Sequence, residues 1–120
     1  MLRPSRVGGA LYGMATMDSR GRLAEQAVLR GLGWSPGTPT EVRVSGGLVF
    51  VAAGTGAGSA VTSHGHLRLP AIVRHCLGLR PGDRVLLVGR PAEAVLVLYP
   101  PTALDALLAR PAADPSGGPT

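Results

Sequence analysis

Two stretches of this 120-residue chain repeat each other, and the repeat constrains the fold more than any single motif. Asp18-Ser19-Arg20-Gly21-Arg22-Leu23 aligns with Thr62-Ser63-His64-Gly65-His66-Leu67, sharing Ser, Gly and Leu at an offset of 44. Leu32-Gly33-Trp34-Ser35-Pro36-Gly37 aligns with Leu77-Gly78-Leu79-Arg80-Pro81-Gly82, sharing Leu, Gly, Pro and Gly at an offset of 45. One residue is therefore missing near Ala24 in the first copy. A paired apolar run follows each Pro-Gly: Val42, Val44 and Leu48 to Val51 in copy one, Val85 to Val88 and Val95 to Leu98 in copy two. Ordered matches at near-constant spacing point to a tandem duplication of one supersecondary unit.

Each copy reads as strand, short loop, strand, short helix, strand, hairpin, strand. In copy two, Leu67-Arg68-Leu69 alternates as a half-buried strand does. Pro70 suits a first helical position, Val73 and Leu77 share a helix face with Cys76, and Gly78 suits a left-handed helix end. Arg80-Pro81-Gly82-Asp83 has the residues of a type II turn. In copy one, Glu25 stands at the Pro70 position and favours a helix's first turn. Val28 and Leu32 pair, Gly33 ends the helix, and Ser45-Gly46-Gly47 closes a hairpin. Trp34, at the position of Leu79, reads as a core side chain, with stacking on a nucleic-acid base as the alternative. One helix of about two turns cannot cover four strands. Two units packed together bury both sheet faces, which gives the duplication its physical purpose.

The expected organisation is a flexible basic arm over residues 1–10, with Arg3 and Arg6, then a first repeat over 11–54. A Gly-rich linker at 55–59 leads to a second repeat over 60–101, a short helix at 102–110 and a disordered tail at 111–120. In that helix Thr102 and Asp105 resemble a cap, and Leu104, Leu107 and Leu108 share a face that should dock on the rest of the fold or on another chain. Aromatic residues make up only 3%, so the core must be aliphatic. No apolar run approaches a membrane span and the start lacks a secretory pattern. A single cysteine excludes an internal disulfide framework, and a reducing, cytoplasmic location is expected.

The net charge is +5, and all twelve basic residues are arginine. A small, arginine-only basic chain makes nucleic acid the first partner to consider, since guanidinium suits bidentate phosphate and guanine contacts. The charge is spread over both copies: residues 1–58 carry six Arg against three acids, and residues 59–120 six Arg against four.

The segment Val61-Thr62-Ser63-His64-Gly65-His66-Leu67-Arg68-Leu69-Pro70, continuing through Leu77-Gly78-Leu79-Arg80-Pro81-Gly82-Asp83-Arg84-Val85, resembles the AbrB/MazE/SpoVT family of bacterial DNA-binding domains. Asp18-Ser19-Arg20-Gly21-Arg22 is similar to the Asp-x-x-x-Arg form of that family's MraZ branch. His64 and His66 depart from the family's usual Ser-Lys-Gly-Gln-like loop, and copy one has Ala24-Glu25 in place of a Leu-Pro step. The resemblance implies a mostly β fold with short helices, in which two tandem swapped-hairpin units form a small pseudo-two-fold β-barrel. That barrel closes within one chain or between two. The resemblance further implies a sequence-specific transcriptional regulator, nucleoid-associated, whose first loops and helices meet the major groove of double-stranded DNA. A homodimer or higher oligomer, and a toxin bound by a MazE-like antitoxin, are the protein partners it allows. A protein-interaction module that has lost DNA binding is a third reading, motivated by Ala24-Glu25. Against the antitoxin stands a short Pro/Gly-rich C-terminal segment with one acid, Asp114.

Within this frame the candidate DNA contacts are Arg20 and Arg22, which flank Gly21 and at i, i+2 share one side of an extended segment. Two guanidiniums there can clamp phosphate oxygens or a guanine edge. His64 and His66 take the same positions in copy two. Arg74 and His75 on the second helix, Arg30 on the first, and outward-pointing Arg68 complete the set. Asp18 is suited to orienting a neighbouring arginine. His64 and His66, with His75 or Cys76, have the chemistry of a zinc site, but copy one carries Arg at both loop positions and Arg is no zinc ligand. No metal or other cofactor is expected. Ser63, His64 and Asp83 could be imagined as a triad, yet copy one keeps only Ser19, so no enzymatic activity is expected.

Overall fold

Alternating aliphatic residues dictate the strands, and the computed structural model describes residues 9–54 and 59–109 as a small, mostly β domain with three short helices. In the first half, β1 (Leu11–Thr16) and β2 (Arg22–Leu23) precede α1 (Gln26–Gly31), β3 (Thr40–Ser45) and β4 (Leu48–Ala53). The second half holds β5 (Leu67–Arg68), α2 (Ala71–Leu77), β6 (Arg84–Arg90), β7 (Val95–Tyr99) and α3 (Pro101–Ala109). Residues 1–8 of the expected arm, 55–58 of the expected linker, Arg110 at the end of the expected helix and the expected tail at 111–120 lie outside the described residues.

Strand pairing interleaves the two halves. The main sheet is antiparallel in the order β1-β6-β7-β4-β3, so each hairpin, β3–β4 and β6–β7, pairs with a strand of the other half. A second ladder pairs β2 with β5, setting Arg22 opposite Arg68 and Leu23 opposite Leu67. The alternation does what the sequence requires. Val49, Val51, Val85, Leu87, Leu96 and Leu98 point inward and are fully buried, joined by Leu23 and Leu67 from the small ladder. Trp34 and Met17 fill the same core. Helix α1 packs on β1 and β6, where Gly89 leaves room: a Cβ there would sit 2.9 Å from Cγ1 of Val28. Helix α3 packs against β6 and β7, with Leu104 half-buried but Leu107 and Leu108 exposed.

The hydrogen bonds that join the halves recur along the chain. Met17 N–H donates to Asp83 O (2.8 Å) and Gly82 N–H to Met17 O (2.8 Å). Correspondingly, Val61 N–H donates to Thr38 O (3.0 Å) and Gly37 N–H to Val61 O (2.8 Å). Each turn after the helix is closed alike, by Thr38 N–H on Ser35 O and Asp83 N–H on Arg80 O.

Three expectations are corrected. The sheet does not close into a barrel: among the described residues β1 and β3 are free edges. The physical reason is that no described strand of the second half pairs with β3 as β1 pairs with β6; among the described residues only the isolated bridge Pro39–Ala60 forms beside it. Pro70 is not the first helical residue but the N-cap, extended at φ −59° and ψ 150°. Glu25 is likewise an N-cap, and its carboxylate accepts the Val28 N–H at 3.1 Å rather than acting only through the helix dipole. Gly78 ends α2 in the left-handed region, φ 65°, where a Cβ would cost energy.

Candidate nucleic-acid interface

Residues 18–22 form a tight loop, not the extended segment expected of Arg20 and Arg22. Asp18 N–H donates to Arg22 O (3.0 Å) and Gly21 N–H to Asp18 O (3.1 Å), with Gly21 at φ 77°. The Asp18 carboxylate holds the loop from within. Its Oδ1 accepts the backbone N–H of Arg20 and of Arg22, both at 2.8 Å, and its Oδ2 accepts Nε of Arg22 at 2.8 Å. These donors favour the charged form. The Arg22 backbone N–H, first among them, brings the Asp18 pKa down to about 2. Arg22 is thus committed to Asp18, while the Arg20 side chain stands exposed.

Residues 62–66 repeat the loop with a neutral acceptor. Thr62 N–H donates to His66 O (2.9 Å), Gly65 N–H to Thr62 O (2.8 Å), and Thr62 Oγ1 accepts His66 N–H (3.0 Å). His64 is exposed and His66 half-buried, their rings 6.0 Å apart; Nδ1 of His66 is buried without a hydrogen-bond partner.

Interleaving sets each loop beside the other half's helix. Leu69 N–H donates to Gly21 O (2.9 Å), and Arg74 lies across the loop, its Nε donating to Leu69 O (3.1 Å). The contact is close: a Cβ on Gly21 would be 2.7 Å from Cζ of Arg74. Ser19 and Arg74 line one groove with His75, Leu79, Arg80 and Pro81. On the other side, Gln26 Nε2 donates to His64 O (2.8 Å). There Gln26, Leu29, Arg30 and Trp34 line a second groove with Ser63 and His64. The β2–β5 ladder sets Arg22 opposite exposed Arg68, and Arg68 also shares a pocket with Arg74.

The sequence-derived residues therefore divide. Arg20, Arg22, Arg68, Arg74 and His75 gather around loop 18–22; Arg30, His64 and His66 gather around loop 62–66. Residue patterns missed two members. Arg80 was legible only as part of a turn, although its place two residues after the Gly78 helix cap puts it at the groove. Gln26 gave no sequence signal, because its partner is the backbone of a loop 38 residues away. Among the described residues, no helix is long and apolar enough to cross a membrane. No protein-family model matches this chain, and no curated protein or solved structure matches it either.

Proposed function

We propose that this chain is a DNA-binding transcriptional regulator built from two tandem AbrB-like swapped-hairpin units with pseudo-two-fold symmetry, acting at the bacterial nucleoid. The observation that carries the reading is the crossed placement of each glycine-centred loop beside the other half's helix. It gathers guanidinium and imidazole groups from distant parts of the chain onto shared surfaces. The recurring hydrogen bonds at offsets of 44 and 45 support the twin-unit reading. Phosphate contacts would position the duplex and a few arginines would read base edges. Arg20, exposed and free of any side-chain acceptor among the described residues, is the direct contact; Arg22 is a positioning residue held by Asp18.

Fluorescence anisotropy on a labelled duplex across a salt series tests this. Arg20→Ala should flatten the dependence of log K on log salt by about 0.9, one phosphate contact. A folded wild-type chain with no salt-dependent duplex binding would refute the reading. A second reading, association with another protein chain, is favoured by α3, whose Leu107 and Leu108 are 41% and 72% exposed. Sedimentation of the full chain separates it: a monomer at all concentrations excludes self-association.

A further inference from the structure

The two loop–helix grooves occupy corresponding places but are chemically unlike. Leu29, Arg30, Trp34 and Ser35 of the second groove stand where the first has Arg74, His75, Leu79 and Arg80. The loops differ in the same sense, Arg20 against His64. The first groove is therefore lined by two guanidiniums, Arg74 and Arg80, and the loop that brings Ser19 to it carries a third, exposed Arg20. The nearby acids in sequence are already engaged: Asp18 is paired to Arg22, and half-buried Asp83 accepts the Arg80 backbone N–H at 2.8 Å. The second has one guanidinium, Arg30, over walls supplied by Leu29 and Trp34.

We infer that the first groove alone grips the phosphodiester backbone, through Arg20, Arg74 and Arg80, and that duplex DNA is held one-sidedly rather than by two equal halves. The inference rests on the DNA-binding reading. Its reason is electrostatic: guanidiniums borne by a loop, a helix and a turn meet phosphate oxygens bidentately, and the second groove, with Arg30 as its one guanidinium, offers fewer such donors. Arg74 is already pinned to the Leu69 carbonyl, so it arrives preorganised, whereas Arg20 and Arg80 are exposed.

Salt-dependent anisotropy on a labelled random-sequence duplex at pH 8 tests this. Arg20 and Arg80 make no side-chain hydrogen bonds among the described residues, so their replacement leaves the fold intact. The Arg20→Ala, Arg80→Ala double variant should lower the salt slope by about 1.8, two phosphate contacts. The Arg30→Ala, His64→Ala double variant should lower it by less than about 0.9. Equal losses from the two pairs, or a larger loss from the second, overturn the one-sided grip while leaving DNA binding intact. Absence of any duplex binding by the wild-type chain overturns both.

Discussion

Single residues in the first loop do separable jobs, and Asp18 shows this most directly. Its pKa of about 2 lies below the ordinary 3.8, because the folded loop supplies donors that favour the carboxylate. A lowered acid stabilises the folded state above the ordinary value, and that stabilisation is lost as pH falls through about 2. Asp18→Asn should therefore be less stable than the wild type at pH 5 to 7, with the gap closing towards pH 2. Urea midpoints across that range measure it, and a gap independent of pH would contradict the assignment. Gly21 and Gly65 offer a paired comparison. Both have positive φ, 77° and 79°, but only Gly21 is overlaid by Arg74; the nearest atom to a Cβ on Gly65 is 3.6 Å away. Gly65→Ala should cost about 1 kcal/mol from backbone strain, and Gly21→Ala about 2–3 kcal/mol because Arg74 must also move. Chemical denaturation of the two variants gives the difference directly.

The short elements matter beyond their length. Strands β2 and β5 are two residues each, yet they place Leu23 and Leu67 opposite one another with no exposed surface. Replacing either with Ala should cost about 3 kcal/mol, a large share of a small domain's stability. Because each leucine packs against the other half, both variants should lose amide-exchange protection in β4 and in β6 together. Loss confined to the mutated half would show that the ladder does not couple them. On the outside of the same ladder, Arg22 and Arg68 face each other as like charges, a repulsion that the Asp18 carboxylate offsets from the Arg22 side. Helix α3 buries no residue completely, so it is the element whose removal should least disturb the core.

At the scale of the molecule, the order β1-β6-β7-β4-β3 means that neither half owns a continuous sheet. The segments 1–54 and 59–120, expressed separately, should each lack a cooperative unfolding transition; mixed, they should co-purify and regain one. A stable, cooperatively folding half would contradict the interleaved pairing.

Local chemistry was legible in the sequence. The positions of the helices, the Pro-Gly turns, the hairpins and the aliphatic core follow from patterns spanning a few residues, such as Val73 to Leu77 or Arg80 to Asp83, where backbone preference and burial act at short range. Most of the basic residues around the grooves were legible too, from their charge and their place in the repeat. Only the tertiary structure decided which of them meet. That Arg74 lies over Gly21, that Gln26 reaches the His64 carbonyl, and that Arg22 is taken by Asp18 while Arg20 stays exposed all depend on pairings between segments far apart in the chain. The open edges of β1 and β3 were hidden for the same reason: which strand edges find a partner is decided by long-range pairing. The chain's own residues determined its pieces and their charge; the crossing of the two halves decided which charges stand together.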